Sequence, residues 1–535
     1  MAENTVFHTL RDKGRLDFSE AKNEKENEET HLPSPSTSRK VKTLGESLNK
    51  GKGKEEIVSF KDIDLKVYND PVHGHIQTNK VCQLIVDTPQ FQRLRFLRQL
   101  GMGYFVFPGA AHNRFEHSLG TCYLAGIFVR TLRSNQPFLG ITERDILCVE
   151  IAALCHDLGH GILSHFYDQH FMRKYKEECI ETREERSVMM FEYLLSSNNL
   201  YREDGSGILS TTYKFRDKDI EFIKEQILGK KKYNDNGKWA LTGRGKEKEY
   251  LYEIVSNKRN GIDVDKFDCI ARDCHHLGIK NNFDYFRYMK FARVIEVDGQ
   301  MQICSREKEL NNLYNMFYTR YTLYKLAYQH KVKIAIEAMV NKALEIADPH
   351  MELEGFRKKT YQLSECHKDP AALMRLTDNI LFEILYSNDA KLAESKKMIE
   401  RIFSRKLYQT AFESKIILPD DLEQYGGENE DDIKNSIIKE VSNKLKDKDF
   451  IVDIVRRDFE LSENYSLDRL NVYRKGNVYQ ASQLKPNEMS KILAPRNERE
   501  VEVRVYCTST DEAKVNVIKD ACQQVLHRNR LVANQ

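Results

Sequence analysis

The chain has 535 residues and a mass of 62.6 kDa, which is too long for one compact core and predicts about three to four domain-sized units. Its 84 Lys and Arg residues against 81 Asp and Glu residues leave a net charge of +3, so no field over the whole chain calls for a nucleic acid or a membrane surface. The sequence contains no run of roughly 18 uncharged apolar residues and no signal-peptide pattern at its N-terminus. We therefore expect neither an integral membrane protein nor a secreted one.

Residues 1–60 are predicted to form a disordered polar tail. Residues 17–29 are acidic and almost free of large apolar side chains, and such a segment buries too little apolar area to offset the entropy lost on ordering. Ser34 precedes a proline, as in proline-directed phosphorylation sites, and residues 39–42 form a weak basic nuclear-import pattern. Both patterns are common by chance, so neither assigns a function.

After the tail the composition becomes globular, and apolar residues recur at helical spacing. Residues 61–415 are therefore predicted to form a mainly helical domain. Its predicted helical segments are 80–100, 118–132, 143–155, 187–195, 219–227, 250–255, 310–330 and 332–346. The run 230–248 is rich in Lys, Gly and Asn, which predicts an exposed loop.

One of these helices is almost wholly apolar and ends in a polar motif. Thr142 is a suitable N-cap, and the acidic Glu143 in the first turn favours the helix dipole. The helix runs to near His156 and Asp157, after which Gly159 allows the backbone to turn tightly. Because an apolar helix lies in a core, these two polar side chains leave the end of a buried element.

Strand-like alternation appears at residues 291–296, 301–304 and 501–506. Residues 416–535, which include a predicted loop at 426–430, are predicted to form a smaller mixed α/β C-terminal lobe that serves oligomerisation. The predicted fold class is thus a mainly α-helical core with this lobe and a disordered N-terminal tail.

Six of the 16 histidines fall within residues 112–170, and this clustering points to chemistry. His117, His156, Asp157 and Asp265 offer two imidazoles and two carboxylates, a donor set that suits divalent Fe, Mn, Zn or Ni. The adjacent His156 and Asp157 converge on one ion only if the helix breaks, as the nearby glycine indicates. A capping Asp beside a packed His is the ordinary interpretation of a lone His–Asp pair, but the clustering favours a metal.

Cations and proton carriers surround this pattern. Arg114 lies one helical turn before the first histidine ligand, His160 and His165 follow the His–Asp pair, and Lys266 adjoins the last carboxylate. A phosphate substrate beside a metal needs cations to absorb developing charge, and a histidine can protonate a leaving oxygen. Each residue alone is more often a solvated surface charge, but their crowding favours phosphate chemistry.

The His…His-Asp…Asp arrangement resembles the HD-domain metallophosphohydrolases, a helical superfamily. The vertebrate SAM- and HD-domain deoxynucleoside triphosphate triphosphohydrolase family is more closely similar, over segments 69–75, 87–95, 107–120, 155–161 and 252–278. The resemblance runs nearly without gaps from about residue 66 to residue 332 and continues more weakly to about residue 525. It implies a helical HD-domain core. The SAM domain of that family is not visible in residues 1–60.

The resemblance implies that water attacks the α-phosphorus of a dNTP and releases a deoxynucleoside and inorganic triphosphate, which limits the cellular dNTP pool, with antiviral defence and innate immunity as the setting. The implied metal ligands, for zinc, iron or manganese, are His117, His156, Asp157 and Asp265. The implied catalytic residues are Arg114, His160, His165, Asp168 and Lys266. The implied substrate-binding residues are Gln99, Leu100, Arg114, His165, Lys266, Asp273, Arg320, Tyr328 and Gln329.

The resemblance also implies activation by nucleotides, bound with Mg²⁺ at two allosteric sites, and assembly into a homotetramer in the nucleus, with the cytoplasm as a second location. The implied GTP or dGTP site comprises Lys66, Val67, Asp87, Gln92 and Arg95. The implied dNTP site comprises Asn69, Val106, Arg287, Phe291, Arg306, Lys308, Asn312 and Lys331.

Three residues depart from the family pattern. Arg183 stands where a His is usual, Cys269 replaces a Tyr expected to face the substrate phosphates, and Thr508 replaces a Lys of the dNTP site. An arginine cannot exchange a proton at neutral pH, because its pKa is far too high. The metal ligands and His165 are all present, which favours an active enzyme.

Two other functions stay open at this point. Arg183 and the basic run 230–232 fit a catalytically impaired nucleotide sensor or a single-stranded nucleic-acid binding protein. The histidine and aspartate pattern also fits an HD-type phosphodiesterase or nuclease, whose cleavage of oligonucleotides would depend on Asp157 and Asp265.

Overall fold

The structure is a computed structural model, and it describes residues 65–175, 182–414, 430–458, 470–485 and 499–528. The predicted tail of residues 1–60, and residues 426–429 of the predicted loop, lie outside these ranges. The described helices are α1 (Lys80–Val86), α2 (Pro89–Gln92), α3 (Arg114–Asn135), α4 (Glu143–Cys155), α5 (Arg183–Ser197), α6 (Ile208–Thr211), α7 (Asp217–Leu228), α8 (Val264–Leu277), α9 (Tyr285–Phe291), α10 (Leu310–Leu323), α11 (Lys331–Ala347), α12 (Pro370–Arg375), α13 (Ile380–Tyr386), α14 (Ala393–Phe403), α15 (Glu430–Ser442) and α16 (Glu512–Arg528).

The described strands form two hairpins and two larger sheets. They are β1 (Lys66–Asp70), β2 (Gly74–Thr78), β3 (Arg293–Val297), β4 (Gln300–Arg306), β5 (Glu352–Glu354), β6 (Thr360–Gln362), β7 (Gln409–Glu413), β8 (Phe450–Asp458), β9 (Asn471–Arg474), β10 (Asn477–Gln483) and β11 (Arg499–Cys507). The antiparallel pairs β1–β2 and β5–β6 are the hairpins, and the larger sheets have the orders β10-β9-β4-β3 and β7-β11-β8. Strands β4 and β9 are parallel neighbours.

Helices α3, α4 and α8 form the centre of the helical core. Helix α3 packs on both α4 and α8, and α4 is buried from its first turn to its end. Both α3 and α4 start with a capping box, in which the N-cap side chain and an acid three residues later satisfy each other's free backbone N–H groups. The ends of these helices are therefore fixed, and so are the side chains next to them.

The mainly helical fold class with a smaller strand-containing C-terminal region is confirmed. Helix α4 begins and ends where predicted, and Thr142 caps it by accepting the backbone N–H of Asp145 at 3.1 Å. The run 230–248 is largely an exposed loop, as predicted, and it is anchored where the backbone N–H groups of Thr242 and Gly243 donate to the buried carboxylate of Glu225.

The single helix predicted over residues 80–100 is wrong. Thr88 accepts the N–H of Phe91 and starts the separate helix α2, with Pro89 as its first residue. Proline has no N–H and disfavours helical geometry in the residue before it, so α1 ends at this point. The predicted segment 310–330 likewise divides into α10 and a wider helical turn, Tyr324–Tyr328.

The C-terminal region contributes to two sheets. Strands β7, β8 and β11 pack with α15 and α16 around a second apolar core that includes Val503 and Leu526. Strands β9 and β10 instead extend the sheet of β3 and β4. The predicted domain boundary at residue 416 stays a prediction. The sheet of the C-terminal lobe includes β7, which precedes this boundary in the chain. No helix in the described ranges combines the length and the apolar character needed to cross a membrane.

Candidate active site

Three helices bring the four predicted metal ligands together. His117 lies in the first turn of α3, His156 caps the C-terminus of α4 and is followed by Asp157, and Asp265 lies in the first turn of α8. After α4 the chain continues as a turn over residues 156–159, which contains Gly159. The adjacent His156 and Asp157 can therefore face the same space, as the sequence predicts.

The four side chains have the spacing of ligands around one cation. His117, His156 and Asp157 offer atoms within 4.8 Å of one another. Oδ1 of Asp265 lies 3.1 Å from Nε2 of His117 and 3.4 Å from Nε2 of His156. Each of these imidazole Nε2 atoms also lies 3.5 Å from an oxygen of Asp157. At metal–ligand distances of about 2.0–2.2 Å, neighbouring ligand atoms lie about 3–3.5 Å apart.

Hydrogen bonds behind the two imidazoles orient them. Nδ1 of His117 contacts Oδ2 of the buried Asp268 at 2.7 Å, and Nδ1 of His156 contacts the carbonyl oxygen of Ala153 at 2.7 Å. With both Nδ1 atoms donating, each Nε2 is free to bind a metal. Nε2 of His156 is buried and has no hydrogen-bond partner, which an ion would provide.

The sequence analysis missed Asp268 and the groups that hold it. Asp268 lies one helical turn after Asp265 on α8, so the two residues share one face of the helix. This spacing is the sequence signal that could have identified Asp268. Its carboxylate accepts from Arg272 and contacts Nε2 of His73 at 2.7 Å. Arg272 in turn donates to Asp70 at 2.8 Å. The β1–β2 hairpin is thereby tied to the back of the metal centre.

The electrostatics of the cluster suit a divalent cation. Burial lowers the pKa of His117, but hydrogen bonds with Asp265 and Asp268 outweigh it and raise this pKa to about 10. Burial acts to raise the pKa of Asp157, yet the charges of Arg114 and the imidazoles hold it well below its usual range. At neutral pH the carboxylates are therefore ionised, and their negative charge keeps a proton on a neighbouring imidazole. The donor set of two nitrogens and two carboxylates fits zinc, iron or manganese.

The predicted cations differ in how they are held. Arg114 donates from Nη1 to Asp157 at 2.6 Å and from Nε to Ser164 at 2.9 Å, while its buried Nη2 has no hydrogen-bond partner. Lys266 donates to both oxygens of Asp263, the N-cap of α8, at 2.8 and 3.0 Å. Arg114 thus has a donor ready for a ligand, whereas Lys266 is engaged within its own helix turn.

The predicted proton carriers lie in different surroundings. His160 is buried, and its Nε2 lies 3.2 Å from an oxygen of Asp157. His165 is exposed, yet the surrounding protein desolvates its ring and the charges of Arg114 and Arg183 oppose its protonation, which together lower its pKa. Asp168 forms an ion pair with Arg186 on α5.

The predicted sugar-binding residues form a connected group with one exception. Asp273 contacts Nε2 of His112 at 2.6 Å and accepts from the hydroxyl of Tyr328. The backbone N–H of Gln99 donates to the carbonyl of His112 at 3.0 Å, and Oε1 of Gln99 is buried without a partner. Gln329 instead donates to the carbonyl of Arg456 in the C-terminal lobe at 2.8 Å.

The remaining two of these residues border the group. The guanidinium of Arg320 lies 4.6 Å from the ring centre of Tyr324, whose ring is 5.0 Å from that of Tyr328. Leu100 is half-buried at the start of a short helical turn, Gly101–Phe105.

The residues predicted to bind GTP meet on one surface beside β1. Nζ of Lys66 lies 5.2 Å from the ring of Tyr68, which also interacts electrostatically with Asp87 and Arg95. Gln92 accepts from Nε of Arg95 at 2.8 Å. The remaining residue of this predicted site is Val67, which follows Lys66 on β1 and is 49% exposed.

The residues predicted to bind a dNTP fall into separate groups. The guanidinium groups of Arg287 and Arg306 lie 5.2 and 4.8 Å from the ring centre of Phe291. Asn312 bonds Asp284 at the start of the same helix, α9, and Lys308 is exposed nearby in sequence. The described contacts of Asn69, Val106 and Lys331 do not join them to this group, and Lys331 pairs with Glu413 at 2.8 Å.

Two of the three residues that depart from the family pattern, Cys269 and Thr508, have described contacts within their own regions of the fold. Cys269 is half-buried on α8, one helical turn after Lys266, and its thiol contacts the Lys266 carbonyl at 3.6 Å. Thr508 donates from its hydroxyl to the carbonyl of Lys448 at 3.0 Å and accepts from Arg401 at its own carbonyl. The Thr508 side chain is therefore engaged within the C-terminal lobe.

The fold and the cluster place the chain in the class of HD-domain proteins, and the family model described as "HD domain" matches residues 114–247. This match begins at the first residue of α3 and includes His117, His156 and Asp157. Asp265 lies beyond it and joins the cluster only through the packing of α8 against α3.

Curated relatives narrow the class. The chain is 47% identical over 456 residues to the bovine (Bos taurus) deoxynucleoside triphosphate triphosphohydrolase SAMHD1, a match that covers 84% of this chain and 76% of that protein. It is 45% identical over 477 residues to the human (Homo sapiens) protein of that name, covering 88% and 75%. A Dictyostelium discoideum homolog is 34% identical over 469 residues, covering 88% and 82%. The chain belongs to the SAMHD1 family of deoxynucleoside triphosphate triphosphohydrolases.

Proposed function

We propose that this chain is a metal-dependent enzyme that hydrolyses dNTPs to deoxynucleosides and inorganic triphosphate. The observation that supports this most directly is the set of two imidazoles and two carboxylates with metal-ligand spacing, placed beside a buried arginine that has one unused donor. His117, His156, Asp157 and Asp265 would hold zinc, iron or manganese. The bound ion would supply Lewis-acid polarisation of the α-phosphate and a lowered pKa for water.

The residues around the cluster account for binding and proton transfer. The free Nη2 of Arg114 would donate to a phosphate oxygen and stabilise the charge that develops there. In the reaction the oxygen of a water molecule bonds to the α-phosphorus, and the bond from that phosphorus to the 5′-oxygen breaks. His165, which is exposed, would give a proton to the leaving 5′-oxygen once a bound triphosphate offsets the neighbouring positive charges that oppose protonation of the ring.

The sugar would lie against Gln99, Asp273 and Tyr328, with Leu100, Arg320 and Gln329 at the edge. The hydrogen bonds that link Asp273 to His112 and Tyr328 hold this wall rigid. The unpaired buried Oε1 of Gln99 offers an acceptor for a sugar hydroxyl. Packing of this kind rejects a ribose 2′-hydroxyl by about 1–3 kcal/mol through a clash or an unpaired polar group.

We also propose activation by nucleotides. Lys66, Asp87, Gln92 and Arg95 present two cations, a carboxylate and an amide on one surface, which suits the guanine edge and phosphates of GTP or dGTP with Mg²⁺. The Arg287, Phe291 and Arg306 group would hold a dNTP, and a second subunit would bring the separated residues to it. Activation would then be a shift of population towards a homotetramer that binds nucleotides better.

The test is a product assay on the purified full-length chain. With dATP, GTP and Mg²⁺ or Mn²⁺ we expect deoxyadenosine and inorganic triphosphate, and a rate that falls when GTP is omitted. Production of dADP or dAMP would reassign the chemistry. A variant Asp157→Ala, which removes a proposed ligand, identifies hydrolysis by a contaminant. Analytical ultracentrifugation with and without nucleotides tests the tetramer, and imaging of the tagged chain in cells tests the proposed nuclear location.

A second candidate function rests on surface charge. Lys230 and Lys231 are exposed and stand near Lys258 at a groove of about 880 Å³. Single-stranded nucleic acid would bind such a groove through its phosphates, and binding would weaken steeply as salt rises. Binding that is absent, or insensitive to salt, removes this candidate. An HD-type nuclease would cleave an oligonucleotide and lose this activity in Asp265→Ala.

A further inference from the structure

The start of α5 is fixed against the metal centre. Thr182 caps the helix by accepting from the backbone N–H of Glu185 at 3.2 Å, and the Glu185 carboxylate accepts the N–H of Thr182 in return. The turn that follows Asp157 touches this first helical turn so closely that a Cβ on Gly159 would lie 2.3 Å from the backbone nitrogen of Ser187. The Gly159 N–H also donates to the Ser187 hydroxyl at 3.0 Å, so the start of α5 and this turn are held together by both packing and a hydrogen bond.

Arg183 is the first residue of this helix, and its backbone lies against the turn after Asp157, since a Cβ on Gly159 would be 2.6 Å from the Arg183 carbonyl oxygen. The guanidinium interacts electrostatically with Asp157 and Asp265, two of the proposed metal ligands. Nη2 donates to Glu184 at 2.7 Å, while Nε is buried and has no hydrogen-bond partner. The side chain is 28% exposed, so it is only partly covered by the surrounding protein.

This arrangement is unsuited to proton transfer and suited to holding an anion. A guanidinium stays charged at every physiological pH, so it cannot replace a histidine as an acid or base. Its planar set of donors matches phosphate oxygens, and it lies at the N-terminus of a helix, where the helix dipole also favours negative charge. With Arg114 it forms a pair of arginines that each keep one buried donor without a partner.

We propose that Arg183 binds the phosphate chain of the substrate and holds it against the metal centre. This inference rests on the proposed function, since it assigns a residue to the substrate of the same site. Two consequences follow from the sign of the charge. Loss of the guanidinium weakens the binding of a polyphosphate, and it strengthens the binding of a divalent cation, because a like charge beside the cluster is removed.

The experiment measures the binding of inorganic triphosphate to the full-length chain. Because this ligand carries no deoxynucleoside, its binding is measured without dNTP hydrolysis. Titration calorimetry on the metal-loaded wild type, Arg183→Gln and Arg183→Lys should show triphosphate binding weakened about 10-fold or more by Gln and less by Lys. Metal titration of the metal-free proteins should show tighter binding in Arg183→Gln. Arg202→Gln is the matched control, because Arg202 is an exposed arginine whose side chain donates to Asn199, and it should change neither value.

Arg183→His separates the proposal from its main rival, in which the arginine is a lost proton carrier. We expect KM for dNTP to rise in Arg183→His along with weaker triphosphate binding. A large rise in kcat at unchanged triphosphate affinity overturns the proposal, as does a Gln variant that binds triphosphate like wild type. If Arg183→Gln does not fold, Arg183→Lys carries the comparison. If no variant hydrolyses dNTPs but Gln still weakens triphosphate binding, the proposed function fails while the phosphate role of Arg183 stands.

Discussion

The metal centre and the predicted GTP surface lie on the same helical core but differ in how completely one chain builds them. At the metal centre the His117 ring is fully buried, and its Nδ1 atom contacts the carboxylate of Asp268. On the GTP surface Lys66 and Arg95 are exposed, and each of them lies over an aromatic ring. The metal centre is organised within one chain without any ligand, whereas the predicted GTP surface presents side chains that are largely exposed.

Removal of one metal ligand should give the largest effect, because the metal centre depends on every member. We expect His156→Ala to lose bound metal and to lower dNTP hydrolysis about 1000-fold or more, since Lewis-acid stabilisation of several kcal/mol disappears. Metal analysis and the product assay measure both. His350→Ala replaces an exposed histidine outside the cluster and should retain full metal and activity. Full metal content in His156→Ala would contradict the ligand assignment.

The turn behind the metal centre should tolerate no added atom. Gly159→Ala places a methyl group 2.3 Å from the Ser187 nitrogen and 2.6 Å from the Arg183 carbonyl oxygen, both backbone atoms. We expect a loss of about 1–3 kcal/mol in the free energy of unfolding, measured by denaturant titration. Gly476→Ala is the control, because its new Cβ meets nothing within 4 Å and should leave stability unchanged. Equal stability of the two variants would show that α5 can shift.

The GTP surface should respond in regulation alone. We expect Arg95→Ala to raise the GTP concentration for half-maximal activation about 10-fold, as loss of one charged hydrogen bond does, with metal content unchanged. Arg133→Ala removes an arginine that pairs only with Glu143 on the surface in the described structure, and should leave activation intact. Loss of basal metal binding in Arg95→Ala would show that the two regions are not separate.

A half-buried carboxylate outside both regions predicts a smaller, pH-dependent effect. Asp378 accepts the backbone N–H groups of Arg98 and Leu163, which are far apart in the chain, at 2.9 and 2.7 Å. Burial raises its pKa to about 6, above its value in the unfolded chain. The stability it contributes is therefore present at low pH and lost as pH rises through 6.

Compared with Asp378→Asn, the wild type should lose about 1 kcal/mol of unfolding free energy between pH 5 and pH 7. Denaturant titrations of both proteins across this range give the difference. A parallel course of the two curves would mean that this carboxyl titrates in the folded chain as it does in the unfolded one.

Local patterns in the sequence were sufficient for the elements that carry the site. Thr142 and the acid three residues later fixed the start of α4, and the polar pair after an apolar run marked its end, because caps and helical periodicity act over a few residues. The same local reasoning failed over residues 80–100, where apolar spacing continued across the break at Thr88 and Pro89. The metal ligands were identified from residue type, since few side chains bind divalent ions.

The sequence by itself thus determined the helical class, the donor set of the metal centre and the family resemblance. Only the tertiary structure decided that Asp268 orients His117, that Lys266 turns to Asp263, and that the backbone of Arg183 lies against the turn after Asp157. Each of these depends on how α5 and α8 pack against α3 and the turn after α4. Such packing is set by the shapes of surfaces far apart in the chain, such as the close contact at Gly159, and no local pattern records it.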